Sequence, residues 1–409
     1  MSTLSRDTLA PIDFDPYDHA LQDDPYPMYA RLRREQPLYH NVAHDFWVMS
    51  RHADITRAVR SDGAYSNAMG VSLDESAWGS HAHTVMSFLA MDAPRHLRLR
   101  GLVSKGFTPK RVQLLEPQIQ QLTDRYLDEV LAAGGATPFD WIAGFAGRLP
   151  MDVISEMVGV LESDRAEVRR LADLLVLRED GLRDVPAAGI EASLTLFEYY
   201  REHVARRGRQ PADDLTTALL HTEMGGDRMS EEEIIAFLFL MVVAGNETTT
   251  KLLGNALFHL TARPAVRDRV FADASLVPRW IEETLRYDTT TQLVARHLVE
   301  DVTIGGVTAP AGAKLLLAYG SANRDETVFT DPDSYDIDRP ADKLARILSF
   351  GGGRHFCLGS HLAKLEARVA LVEVIRRART VEVDHAHCVR FYSSNVRGFE
   401  HVPVTVTAR

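Results

Sequence analysis

Cys357 stands where a glycine-rich loop meets an amphipathic helix, in the stretch SFGGGRHFCLGSHLAKLE from Ser349 to Glu366. Gly351, Gly352 and Gly353 precede it and Gly359 follows. Without a Cβ these residues let the backbone take positive φ and let a flat group come close. Leu358, Leu362, Leu365, Val369 and Val372 recur every three or four positions, which predicts a helix beginning just past the sulfur. Its free N–H groups and positive dipole end then point at Cys357. A thiol so placed is expected to have a lowered pKa and to be held as thiolate. Thiolate is the axial ligand that pushes electron density into haem iron and favours O–O cleavage. The plainer alternative is a small buried side chain beside a glycine turn.

A second chemical pair is Glu247 and Thr248, in AGNETTT from Ala244 to Thr250. A carboxylate beside a hydroxyl can relay protons into a dry site. Ser230 with Glu233 three residues later predicts a capping box. The helix it opens is apolar on nearly all sides from Ile234 to Val243, the mark of a central helix. Gly245 and the threonine run are expected to weaken its ladder, because Thr hydroxyls compete for backbone carbonyls. Such local widening often marks a functional site, although a helix loosening near its end would read the same way.

Two further pairs follow helical spacing. His96 and Arg100 share one face of a helix that Asp92 and Pro94 are expected to open, Asp92 as its cap. The Arg fork suits a carboxylate, while Arg95 and Arg98 nearby leave a solvated basic face as the alternative. Glu283 and Arg286 lie at i and i+3 on a helix from Val277 to Tyr287 and can pair.

Phe350, Gly353, Cys357 and Gly359 spell Phe-x-x-Gly-x-x-x-Cys-x-Gly, which resembles the haem-binding loop of the cytochrome P450 monooxygenases. AGNET upstream is similar to that family's Ala/Gly-Gly-x-Asp/Glu-Thr oxygen-activation motif. The resemblance runs through nearly the whole chain and points to the soluble bacterial type. It implies a single domain over residues 1–409, mainly α with a smaller β region, holding haem b between a long central helix and the cysteine loop and helix. Cys357 is then the proximal iron ligand, with Thr248 and Glu247 as the catalytic pair that delivers protons. His96, Arg100, Arg296 and His355 match propionate-binding positions, and Ala244, Phe350, Gly351 and Gly359 line the haem. Glu283, Arg286 and Arg339 match a structural triad beneath the haem loop. Met86, Leu89, Val243, Ala244, Gln292, Leu293 and Val294 are expected to face substrate, and their character suggests a medium-sized hydrophobic molecule.

The implied reaction inserts one atom of O2 into a C–H or double bond. No flavin or nicotinamide domain is fused, so the electrons are expected from a separate ferredoxin and ferredoxin reductase. Lys105, Lys110, Arg111, Arg354 and Lys364 are expected on the cysteine side as a basic patch for an acidic ferredoxin, scattered surface charge being the alternative. A peroxide-driven haem oxygenase, or a haem protein that only senses a ligand, is the competing function. A sensor would not need Glu247 and Thr248 and should carry an output module.

The elements that position these residues follow from the rest of the chain. With 45% hydrophobic and 25% charged residues in 409, the composition is that of a globular protein with a large core. A net charge of −11 argues against nonspecific nucleic-acid binding. Two cysteines imply no disulfide framework and fit a reducing cytoplasm. Residues 1–25 read as an extended polar lead-in without a secretory signal. The longest apolar run, Ile234 to Ala244, falls short of the ~18 residues that span a bilayer, so no membrane insertion is expected. Helical spacing marks Pro27 to Glu35, His52 to Arg60, Val112 to Ala133, Met151 to Val160 and Ala187 to Arg207, with breaks at Gly134-Gly135, Pro150 and Pro186. Leu38 to Met49 reads as a hairpin. Residues 61–90 read as a long irregular stretch bordering the pocket or as an ordinary surface loop, and Leu174 to Ser193 could be a mobile lid. The β region is placed at about 290–320 and 380–409, with Gly305-Gly306 as one turn.

Overall fold

Glu231 to Thr261 folds as one 31-residue helix, about 46 Å long at 1.5 Å per residue. The computed structural model describes residues 11–61, 63–132, 137–179 and 182–409. The central helix opens as its sequence predicts. The Glu233 N–H donates to the Ser230 hydroxyl at 3.2 Å, and the Ser230 N–H donates to the Glu233 carboxylate at 3.0 Å. Phe237, Leu238, Val242, Leu253, Ala256, Leu257 and Leu260 have essentially no solvent exposure, each burial contributing about 1.5–3 kcal/mol for the larger side chains. Helices Leu149–Val158, Arg165–Val176, Ala187–Arg209, Val277–Tyr287 and Ser360–Arg377 pack around it.

Two expectations for this helix are corrected. Its length and hydropathy suffice to cross a bilayer, because the polar Asn246-to-Lys251 stretch does not offset the apolar runs flanking it; here that apolar surface is covered by other helices. Nor does the helix widen at Gly245 and the threonines: it is α-helical throughout. Thr248 turns its hydroxyl onto the Ala244 carbonyl at 3.0 Å, and Thr250 sends its own across to Ala146 at 3.1 Å.

Residues 38–66 supply three strands of a five-stranded sheet. Its order is Leu38–Asn41, Phe46–Met49, Lys314–Ala318, Leu293–Leu298, Tyr65–Ser66. The first two strands form the expected hairpin, Leu38 opposite Met49. Phe46–Met49 runs parallel to Lys314–Ala318, which pairs antiparallel with Leu293–Leu298 in the register Val294 to Leu317 and Arg296 to Leu315. A three-stranded sheet joins Phe139–Asp140, Pro403–Ala408 and Ala378–Val383. Gly305 and Gly306, at φ 59° and 82°, turn a small hairpin, a geometry that requires two left-handed residues in succession.

The lead-in is not wholly extended. His19–Asp23 forms a helical turn, because the Asp18 carboxylate accepts the Ala20 N–H at 2.9 Å. Phe14 is buried against Tyr29. Residues 1–10 and the break at Gly134-Gly135 lie outside the described residues. The stretch 61–90 is less irregular than expected: it carries strand Tyr65–Ser66 and short turns at Glu75–Ala77, His83–Met86 and Ser87–Ala90.

Candidate active site

The cysteine loop closes on itself before the helix Ser360–Arg377 begins. The Cys357 N–H donates to the Phe350 carbonyl at 2.9 Å, and the Gly351 N–H to Leu348 at 2.8 Å. Gly351 and Gly353 take φ of 68° and 61°. A Cβ on Gly353 would lie 2.0 Å from the Val59 carbonyl oxygen, so only glycine lets this loop pass the helix His52–Arg60. Gly359 differs: its φ is −86°, and a Cβ there would meet no protein atom within 4 Å. The protein itself does not require glycine at 359; a flat group lying against Cys357 would.

The cysteine corrects one expectation. Cys357 is accessible, yet the protein around it desolvates the sulfur and pushes its thiol above the ordinary value. The N–H groups of Gly359 and Ser360 and the Arg100 guanidinium pull the other way and do not win. Helix-end amides stabilise a thiolate less than lost hydration destabilises it. A coordinated metal cation inverts that balance.

Around the loop lies a group of basic side chains drawn from three segments. Helix Arg95–Ser104 presents His96, 1% exposed, and Arg100, whose guanidinium donates to the Phe356 carbonyl at 2.7 Å. Arg98 on the same helix turns outward to Asp227 and Glu233, which resolves the mixed basic face. Asp92 is not the cap of this helix. Its carboxylate is taken by the Ser66 hydroxyl and by the Asn67 N–H at 2.9 Å, tying the helix start to the 61–90 segment. The His355 ring lies 4.1 Å from that of His96. Arg296, 4% exposed, donates to the Ala295 carbonyl at 2.7 Å and lies near Tyr319. Burial and the neighbouring arginines depress His96 to about 4, and burial, His96 and the arginines depress His355 to about 2.

Both ring nitrogens of His96 and Nδ1 of His355 are buried without a hydrogen-bond partner. Among the described residues, no carboxylate forms an ion pair with His96, Arg100, Arg296 or His355. Orphaned buried polar atoms in such number ask for an unseen partner. A porphyrin with two propionates answers the orphaned imidazoles, the uncompensated arginines and the open face at Gly359 together, so the residues present fit haem.

Ala244 and Thr248 lie one turn apart on the central helix, Ala244 exposed and Thr248 half-buried. Glu247 is buried, its Oε2 3.1 Å from the Lys251 ammonium. That contact is an ion pair by distance, but it is not aligned as a hydrogen bond. Met86, Leu89 and Val243 are half-buried on segments packed against each other. Val294 lies with Tyr319 and Arg296 on one face of its strand. Gln292 and Leu293 are corrected. The Gln292 amide donates to the Thr289 carbonyl at 2.7 Å and to the Tyr26 hydroxyl at 3.3 Å, and Leu293 packs with Phe14, Tyr26 and Tyr29. Successive side chains on a strand face opposite ways, so three consecutive residues could not all face one pocket.

Glu283, Arg286 and Arg339 meet in the interior, with at most 6% of any side chain exposed. Arg286 grips Glu283 with two bonds of 2.7 and 2.8 Å, and Arg339 adds one at 3.2 Å. Arg286 also donates to the Asn323 carbonyl. Asn323 in turn accepts the Leu348 N–H at 2.7 Å and donates to the Ser349 hydroxyl at 2.9 Å. The triad thereby holds the first residues of the cysteine loop. Asn323 carries no motif and was missed from sequence, as was Lys251 near Glu247.

The family model for cytochrome P450 matches residues 151–391. The chain is 54% identical over 395 residues to cytochrome P450 123 of Mycobacterium tuberculosis, covering 97% of each. A cytochrome P450 structure from Chondromyces apiculatus superposes with a TM-score of 0.86 at 33% identity, over 97% of this chain and 99% of that one. CYP109E1 of Bacillus megaterium, in complex with testosterone, matches with a TM-score of 0.82 at 29% identity, over 93% and 99%. By sequence along its length, by backbone, and by the basic cradle around an accessible cysteine, the chain belongs to the cytochrome P450 family, the haem b monooxygenases, and to their bacterial type.

Proposed function

We propose that this enzyme inserts one atom of O2 into a C–H or double bond of a medium-sized hydrophobic molecule, using electrons from a separate ferredoxin and its reductase. The observation that carries the site assignment is the cluster of His96, His355, Arg100 and Arg296, without acidic partners, beside an accessible Cys357. Haem b, when bound, supplies the reductive splitting of O2. Cys357 ligates its iron, and Gly359 leaves room for the ring. The neutral imidazoles of His96 and His355 donate N–H groups to the propionates, and Arg100 and Arg296 neutralise them. Val294, Met86, Leu89, Val243 and Ala244 wall the substrate space and keep bulk water out. Thr248 and Glu247 move protons: the hydroxyl orients a water, and the Glu247 carboxylate takes up a proton and, as the acid, passes it to that water.

On the cysteine side, Lys105, Lys110, Arg111 and Arg354 are exposed and support docking of an acidic ferredoxin. Helix Pro109–Gln113, which carries Lys110 and Arg111, packs on the cysteine-loop helix. Lys364 contributes less, since Glu282 holds it at 2.5 Å. The ferrous carbon monoxide spectrum tests the ligand assignment. Wild type is expected to show the red-shifted Soret band of thiolate coordination, and Cys357→Ser to abolish it. A band unchanged in that variant would reject Cys357 as ligand. Loss of product with continued electron consumption in Thr248→Ala separates the monooxygenase from a peroxide-driven enzyme, whose yield with peroxide would stand.

A further inference from the structure

Lys251, one turn past Glu247 on the central helix, is a buried cation: the two side chains are 4% and 7% exposed. A lysine is almost never this deeply buried unless its charge is held. Here the antiparallel strands Val389–Phe391 and Gly398–His401 hold it. Gly398 stands opposite Phe391 in their ladder. A Cβ on Gly398 would lie 2.5 Å from the Lys251 Cβ and 2.7 Å from its Cγ, so glycine leaves the slot that the lysine stem fills. At the end of that stem the ammonium donates to the Phe399 carbonyl at 3.1 Å and lies 3.8 Å from the centre of the Phe391 ring, a cation–π contact that strengthens out of water. The contact with Glu247 comes in addition, at 3.1 Å and without hydrogen-bond alignment. Among the described residues, no other cation forms an ion pair with Glu247. The positive charge is therefore fixed by the strands and not by the acid. Glu247 can turn away and return while its partner stays in place.

Resting on the proton-delivery role proposed for Glu247, we infer that Lys251 is a positioning residue that keeps Glu247 ionised between turnovers and makes it release each proton readily. A carboxyl in a dry site holds its proton, and a fixed opposite charge beside it reverses that preference. The relay thus starts empty. One proton passes from solvent to a Glu247 oxygen and from there to the water that Thr248 orients. Lys251 keeps its own three protons throughout, and no other bond or electron changes.

The test compares wild-type holoenzyme with Lys251→Gln, Lys251→Arg, Gly398→Ala, Glu247→Gln and the double variant Lys251→Gln with Glu247→Gln. Glutamine at 251 keeps a donor for the Phe399 carbonyl and removes the charge. Infrared spectra of the resting protein read Glu247 without turnover. Lys251→Gln is expected to gain a protonated-carboxyl band that the double variant lacks, a comparison that subtracts other buried acids such as Glu366. Gly398→Ala, which crowds the lysine stem and leaves both charged residues in the chain, is expected to gain part of the same band. In turnover, Lys251→Gln is expected to lower product formed per electron consumed on the order of tenfold, with the lost electrons appearing as peroxide, and Lys251→Arg to restore most of it. A role in packing alone would lower stability and move neither readout. No band in Lys251→Gln, or unchanged product per electron there while Glu247→Gln loses product, overturns the role of Lys251 and leaves that of Glu247 standing. Unchanged product in Glu247→Gln overturns the proton-delivery role itself.

Discussion

Removing either partner of the Asp74–Arg178 ion pair should open the protein over its substrate space without unfolding it. Asp74 belongs to the 61–90 stretch, and Arg178 follows the helix Arg165–Val176. The pair is bidentate, at 3.1 and 2.9 Å, with side chains 6% and 9% exposed. The remaining Arg178 nitrogen donates to the carbonyls of Leu175 and Leu177, and Ser72 donates to Asp74 at 2.9 Å. Close charge pairs out of water couple by about 1.5–7 kcal/mol. A pair between two short surface segments belongs near the low end, about 2–3 kcal/mol. That is about a 30- to 150-fold shift in the opening equilibrium. The second tie between these segments, Ser76 to Asp184 at 2.7 Å, is exposed and should contribute less than about 1 kcal/mol. The assay is a double-mutant cycle with Asp74→Ala and Arg178→Ala. It is read by amide hydrogen exchange over 61–90 and by the rates at which a ligand that shifts the iron's spin state binds and leaves. Exchange and both rates should rise in each single variant. The urea midpoint should move little, because an opened segment rehydrates its stranded charge. Single effects that simply add, within about 0.5 kcal/mol, would refute the latch.

Two other outcomes follow from buried charges. Glu283→Gln leaves Arg286 and Arg339 without their shared carboxylate in a site with no access to water, at a cost of about 3–5 kcal/mol; urea unfolding measures it, and a loss under about 1 kcal/mol would contradict the triad's role in holding the cysteine loop. Asp288 is buried between Tyr26 at 2.6 Å, Arg397 at 2.7 Å and His259 at 2.9 Å. Burial pushes its carboxyl up, but Arg397, His259 and Arg390 outweigh burial and hold it well below the usual range. The folded protein therefore keeps this group ionised where the unfolded chain protonates it. The stabilisation is complete above about pH 4 and is lost as pH falls through the depressed value. Asp288→Asn should melt lower than wild type at neutral pH, and the gap should close below about pH 4; a gap constant down to acid pH would show that Asp288 acts by packing alone.

Sequence alone was enough for the turn-and-helix form of the cysteine loop, the capping box at Ser230 and Glu233, the hairpin Leu38 to Met49, and the central helix that carries Glu247 and Thr248. Each is a pattern of residues within a few positions of one another, where backbone sterics and helix or strand period leave few choices. What failed at that range failed for related reasons. Strand period alternates Gln292, Leu293 and Val294, so the expectation that all three face substrate does not hold. Asp92 has the residue type of a helix cap, but two residues of a distant segment, Ser66 and Asn67, claim its carboxylate. The direction of the Cys357 shift needed the enclosing protein, because desolvation depends on everything around the sulfur.

Arg178 meeting Asp74 and Asn323 carrying the triad's grip into the cysteine loop belong to tertiary structure alone. Neither has a local signature: an acid, an arginine or an asparagine on a helix or loop looks the same whether it faces water or a buried partner. Which it faces is decided only when helices pack, and the free energy of an ionisable group depends on that packing far more than on its neighbours in the chain.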